Sequence, residues 1–426
     1  MTADEMPASA VSESGDGRAD QGGIANTGVI HGDVRAEFHV HHHHPRELHD
    51  VRPEGHGEGR RPWSHRRLTR RLLIGTVAAA GLGVSGAATA WRYGTESARR
   101  SSPTPSGTVT FGPDARYDPA GRKVRPAGRT IWSIAAGTLR GEPLVVAGRG
   151  DGRIQLWNPV TGRARSDLLP AHHGKVFGLA LHGTMAASTS VDGTMRVWDL
   201  TSDPPRATAP TTGIAGGVNG VAFATVGGRT VAVTACGDRT VRIWDPAHPQ
   251  RGGRALGSAL GAPVNSIAVG TIDGRAIAVT GSADGAITLW DVTGERMLRE
   301  LGSHTGEVWG LAVGIVNGKP TAVSGGEDGV LRRWDLGAAQ PSGEQLLKLT
   351  KAFKTVAIGE VAGRTVAVSG CDDSGIRIWD LGAGQPYGRA LTGPEKTAEA
   401  IAISDFSGRP TVVSGHYDGT IWAWTL

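Results

Sequence analysis

Beyond residue 122 the sequence is a succession of short apolar runs separated by polar, glycine-rich breaks. One set is rich in valine and threonine, as in TVAVTA (Thr230 to Ala235) and AIAVTG (Ala276 to Gly281). A second set alternates with polar neighbours and carries apolar Ile154, Met195, Val241, Ile287, Leu331, Ile376 or Ile421 at a fixed place. A period of two marks a half-buried strand. A third set, IWSIA, VFGLA, VNGVA, VNSIA, VWGLA, FKTVA and AEAIA, is rich in alanine and glycine, which suits an inner strand crowded toward an axis. The chain is therefore expected to be all-β.

The runs are locked to a register. Trp157, Trp198, Trp244, Trp290, Trp334, Trp379 and Trp424 follow one another at intervals of 41, 46, 46, 44, 45 and 45 residues. Such a period fits one four-stranded propeller blade. Six residues before each tryptophan stands Asp151, Asp192, Asp238, Asp284, Asp328, Asp373 or Asp418. A catalytic aspartate is needed once, whereas a residue needed in every unit serves the fold. Ten residues before six of the tryptophans is a hydroxyl (Ser188, Thr234, Thr280, Ser324, Ser369, Ser414), with Ala147 in the first repeat. Asp-Gly after the second strand predicts a tight hairpin turn that requires positive φ. Asp238-Arg239 and Asp373-Ser374 depart, and looser or differently shaped turns are expected there.

Trp-Asp closes the third strand at Trp198, Trp244, Trp290, Trp334 and Trp379, becoming Trp157-Asn158 and Trp424-Thr425 at the ends. With the turn aspartate, this pattern resembles the WD-repeat family over roughly residues 122–426. The resemblance implies a seven-bladed β-propeller. It also implies a brace of histidine, hydroxyl, aspartate and tryptophan in each blade. The histidine stands only near His173 and at His304, so five blades lack a member and are expected to be less rigid. In the family the second residue of the inner strand and the residue before the turn aspartate face the partner-binding side. Here the first set is Trp132, Phe177, Asn219, Asn265, Trp309, Lys354 and Glu399. The second set is Gly150, Val191, Gly237, Ala283, Glu327, Asp372 and Tyr417.

The chain stops two residues beyond Trp424, before any outer strand for the seventh blade. Residues 117–133 read like 157–180, an outer strand leading to an inner one. Arg122 to Pro126 is therefore expected to pair with the last blade and leave no open seam.

Upstream, residues 1–71 are Gly, Glu, Asp, His and Arg with few large apolar side chains, the composition of a disordered tail. Within it, residues 22–41 alternate Val34, Ala36, Phe38 and Val40, as a short β motif would. That stretch loosely resembles the self-assembling signalling motifs of bacterial conflict systems. His39 and His41 to His44 follow, a polar tract without fixed metal geometry. Residues 72–91, LLIGTVAAAGLGVSGAATAW, carry no charge and are long enough to cross a bilayer as a helix. Six arginines precede the span within residues 60–71 and three follow it by residue 100, which places the N-terminus in the cytoplasm and the propeller outside. The same stretch resembles a twin-arginine export signal, Thr69-Arg70-Arg71-Leu72-Leu73-Ile74 followed by a weakly apolar middle and Ala88-Thr89-Ala90. Residues 92–121 read as a flexible stalk.

The net charge of +5 is mild and its arginines are scattered, so no nucleic-acid partner is expected. A ring of Arg229, Arg275, Lys319, Arg364 and Arg409 in the inner turns could meet an anionic surface. The two cysteines, Cys236 and Cys371, sit at equivalent places in distant repeats, too far apart for a disulfide. No nucleotide loop, metal box or nucleophile motif occurs, so neither cofactor, metal nor small-molecule substrate is expected. Glu327, Asp372 and Glu399 offer acids for a channel-mouth enzyme, without a histidine or cysteine partner. The reading is a non-catalytic, membrane-tethered protein-interaction scaffold or sensor of bacterial type. An exported, signal-released, ligand-binding propeller is the alternative. Trp132, Phe177, Trp309 and Tyr417 are the expected aromatic contacts, because large amphipathic rings dominate binding energy.

Overall fold

The computed structural model describes residues 121–426 apart from 126, 127, 212 and 341. The tail, the motif at 22–41, the histidine tract, the span at 72–91 and the stalk up to residue 120 lie outside the described residues. Among the described residues the strands form seven four-stranded antiparallel sheets, and the one helical turn is Pro249–Arg251. No helix among them is long and apolar enough to cross a membrane.

Each sheet is one blade, with a nearly invariant logic. The alanine- and glycine-rich runs are the innermost strands, for example Ile131–Leu139, Val218–Val226 and Val308–Val316. Crowding at the axis is severe. A Cβ on Gly310 would lie 2.9 Å from the backbone of Thr355, and one on Gly178 would lie 3.2 Å from Gly220. Where a hydroxyl stands instead, it bridges blades, as Ser133 Oγ does by donating to the carbonyl of Val176 at 2.9 Å. The alternating apolar residue three before each tryptophan is buried in every blade. The tryptophans themselves fill the space between third and outer strands, lying over Gly253, Gly343 and Gly121 in blades three, five and seven.

The seam closes as the sequence requires. Arg122–Arg125 pairs antiparallel with Ile421–Thr425, with Arg122 opposite Ala423 and Arg125 opposite Ile421, and becomes the outer strand of the seventh blade. The amide of Gly121 and the indole of Trp424 both donate to the carbonyl of Thr392, each at 3.1 Å.

The brace is complete in blade five. His304 Nε2 lies 2.7 Å from Ser324 Oγ, its Nδ1 lies 3.0 Å from Asp328, and Trp334 Nε1 donates to Ser324 Oγ at 2.7 Å. In blade two the ring that binds Ser188 is His172, at 2.8 Å, not His173, which contributes only a backbone amide to Asp192. Blade seven supplies a histidine from elsewhere: His416, two residues ahead of Asp418, lies against Ser414 and the carbonyl of Lys396. In blades three, four and six the histidine place is taken by Ile214, Leu260 and Leu349, partly buried against the apolar clusters. Their amides keep the same bond to the preceding blade's turn that His304 makes. Apolar packing thus replaces the polar brace there. Trp244 and Trp290 still reach Thr234 and Thr280 at 2.9 Å. In blade six the Trp379 indole nitrogen and the Ser369 hydroxyl are buried without a hydrogen bond.

The two turns lacking glycine are not looser. Arg239 and Ser374 take φ of 72° and 63°, inside the range of the equivalent Gly152, Gly193, Gly285, Gly329 and Gly419 or a few degrees from it. Backbone geometry is imposed by the hairpin, so these residues accept a left-handed conformation that L side chains resist. In the glycine turns a Cβ would strike a neighbouring loop, 2.4 Å from the carbonyl oxygen of Ile214 at Gly193.

Candidate functional site

Seven identical irregularities build the centre of the molecule. In every blade the pairing of the inner strand skips its second residue: Trp132, Phe177, Asn219, Asn265, Trp309, Lys354 and Glu399. A bulge turns the extra residue away from the ladder and re-aims its side chain. All seven are buried, between 1% and 5% exposed. They form a plug at the axis, and Trp132, Phe177 and Trp309, expected from the sequence as aromatic contacts, are buried within it. Crowding of seven bulges around one axis removes them from solvent.

The plug has an aromatic sector and a charged one. Trp132 and Phe177 meet edge to face at 5.7 Å, and Lys175 caps the Trp132 ring at 4.4 Å. Asn219 Nδ2 donates to the carbonyl of Val264 at 2.9 Å. Asn265 Nδ2 and Trp309 Nε1 both donate to Glu307 Oε2, at 3.0 and 3.1 Å. Lys354 Nζ sits 3.8 Å from the centroid of the Trp309 ring and 3.3 Å from Asp372. Burial pushes the Glu399 carboxyl up to about 8, with Lys354 opposing and Asp372 adding to the shift. Burial likewise raises Glu307, and the neighbouring Glu327 charge outlasts part of the relief that Trp309 supplies.

The rim behaves differently. In each blade the residue before the turn aspartate donates its amide to the carbonyl just ahead of the inner strand, from Gly150 to Thr130 through Tyr417 to Thr397. Backbone fixes the rim, leaving its side chains free to vary. Gly150, Gly237 and Ala283 are small and half-buried, whereas Val191, Glu327, Asp372 and Tyr417 are exposed, Tyr417 at 49%. Lys175 and Glu307, at the carbonyl-bearing position, are half-buried members that the sequence reading missed. Their signal was available, since that position lies 20 residues ahead of the rim residue in six of seven repeats.

The repeated aspartates do what a fold residue does. Asp192, Asp238 and Asp418 each accept from the backbone amide and hydroxyl of the threonine two residues on. Asp151, Asp284, Asp328 and Asp373 accept the corresponding amide. Burial alone would raise Asp328, but His304 and two backbone amides hold its carboxyl below the usual range.

Three stretches, residues 165–199, 209–245 and 295–335, match the family model described as WD domain, G-beta repeat. These three stretches are WD40 repeats. The matched stretches cover blades two, three and five, and the same geometry recurs in the four blades outside them. No curated protein matches the chain.

On the opposite face of the propeller, the expected cationic ring is partly neutralised. Lys319 lies 3.3 Å from Asp335 and Arg364 lies 2.6 Å from Asp380, each an aspartate of a Trp-Asp pair. Arg229, Arg275 and Arg409 are exposed, with acidic Asp273 and Asp405 in the same turns. Cys236 and Cys371 are free and buried, and burial pushes the Cys236 thiol up to about 12.

Proposed function

We propose that this WD40 propeller is a non-catalytic protein-interaction scaffold whose contact residues are the exposed rim, Val191, Glu327, Asp372 and Tyr417, rather than the plug. WD40 propellers commonly mediate protein–protein interaction. The observation that carries the reading is the exposure of these four side chains at places where the blades differ, while the residues common to all blades are spent on folding. Tyr417 supplies an aromatic anchor of the kind that dominates contact energy, with the carboxylates of Asp372 and Glu327 on the two preceding blades and Val191 farther round the rim. Glu399 argues against a channel-mouth enzyme, since its carboxyl is 3% exposed and set among Lys354 and Asp372 instead of facing an open mouth.

The span at 72–91 then acts as a single membrane helix of bacterial type, holding the tail in the cytoplasm and the propeller outside. Its length, lack of charge and flanking arginines support that placement. Release as an exported propeller is the competing outcome, favoured by the twin-arginine pattern at Arg70-Arg71.

Crosslinking pull-down from cells with the parent and with Glu327→Lys/Tyr417→Ala tests the rim. Loss of the captured partner is expected in the double variant at unchanged melting temperature, and equal capture by both would defeat the assignment. Fractionation with an N-terminal tag separates the two destinations, because a soluble, tag-free propeller removes the anchor.

A further inference from the structure

A closed ring leaves open sheet edges only at its outer strands, and this chain keeps most of those short, a common protection against strand addition. In blades one, two, three and six the outer strand is two residues long. Blade four departs, with Arg296–Ser303, RMLRELGS, running for eight residues. On it Met297 and Leu298 are 42% and 43% exposed, two of five exposed large apolar side chains among the described residues. Pairing with Ala286–Asp291 passes from Arg299 to Met297 and skips Leu298. That bulge interrupts the alternation, so two consecutive apolar side chains emerge together.

We propose that this edge is a self-association surface, on which a second copy of the chain lays the same strand antiparallel about a two-fold axis through Leu298. A two-fold contact requires a patch complementary to itself. With Leu298 opposite Leu298 of the other copy, Arg296 falls opposite Glu300 twice, and opposite charges across strands are favourable where like charges are not. Arg296 is 67% exposed, and its ion pair with Asp291 is long, 3.7 Å against the 2.6 Å of Arg254 with Glu295, so it can turn outward. Glu300 is exposed as well. Moving the axis by one residue is less favourable. An axis through Arg299 sets that charge against itself, and one through Met297 calls on Glu295 and Arg299. Glu295 already holds Arg254 at 2.6 Å, and Arg299 holds the carbonyls of Leu336 and Ala339. Bulges limit backbone pairing to a few residues, so Met297 and Leu298 supply the apolar contact. The surface lies on the outer circumference and leaves the rim open, so a pair of propellers would offer two rims to a partner and gain avidity.

The test uses the full chain carrying Leu298→Cys. Both native cysteines are fully buried, which leaves the introduced thiol as the reactive one in the described region. With copper phenanthroline as oxidant, two thiols surrender two protons and two electrons as the disulfide forms, and a dimer band is expected on a non-reducing gel. Val160→Cys, at an exposed site on blade one, should give none. Adding Arg296→Glu or Glu300→Arg to Leu298→Cys should weaken the band roughly tenfold, since each reversal sets like charges opposite twice. Combining both reversals in one chain, or mixing the two single reversals, should restore it. No band from Leu298→Cys, a band equal to that of Val160→Cys, or one indifferent to the reversals would overturn the proposal. An unchanged melting temperature in each variant certifies the fold.

Discussion

The plug and the rim are separated by a strand, repeat with the same period and vary equally from blade to blade, yet they have opposite fates. Bulges direct the plug residues into a space that seven blades share, so variation there is answered by a neighbour: Trp132 by Phe177, Trp309 by Lys354, Asn265 by Glu307. At the rim a backbone bond fixes each residue, and the larger side chains, Val191, Glu327, Asp372 and Tyr417, meet solvent. Variation marks a binding surface only where no other blade absorbs it.

That contrast can be broken most directly at Trp309. Trp309→Ala should cost about 3–5 kcal/mol, read in urea unfolding, because it empties the plug and strips Lys354 of its ring. A stability within 0.5 kcal/mol of the parent would mean the plug is not packed.

Glu399 sharpens the point through pH. Its carboxyl binds a proton in the folded chain up to about 8, while an unfolded glutamate releases it near 4.3. The folded state therefore holds more protons between those values, and this group's contribution to stability is lost as pH rises through the window. Glu399→Gln, neutral in both states, should gain roughly 3–4 kcal/mol over the parent between pH 5 and pH 8. A constant difference across that range would show the carboxyl to be ionised in place.

Smaller effects are expected in the turns beneath the rim. Arg239→Gly and Ser374→Gly should each raise stability by about 0.5–1 kcal/mol by relieving positive φ, whereas Gly193→Ala should lower it. Melting curves of the three decide it. At the rim itself Tyr417→Ala and Glu327→Ala should leave stability within about 0.5 kcal/mol and alter only partner capture.

Much of the fold was legible because its signals are periodic. Tryptophan spacing set the blade count, the aspartates set the hairpins, and the likeness of residues 117–133 to 157–180 pointed to Arg122. Turn shape at Arg239 and Ser374 was misjudged because local preference was weighed above a hairpin register that the strands enforce. His416 escaped notice because it reaches Ser414 from the wrong side of the turn. Burial of the plug was illegible for a different reason. A bulge leaves no mark in residue type when the bulged residue can be Trp, Asn, Lys or Glu, and the crowding that hides it comes from blades far apart in the chain. Exposure at Tyr417 and Val191 needed the same three-dimensional knowledge.

The pairing of Arg122–Arg125 with Ile421–Thr425 has a temporal side. The ribosome makes the first of these segments roughly 300 residues before its mate, and contacts so distant along the chain form late and slowly. Until Ile421–Thr425 has been made, six blades can stand while Arg122–Arg125 has no strand to pair with. A product cut short before Ile421 would carry its sealing strand with nothing to seal, which gives the cell's proteases a simple mark of incompleteness.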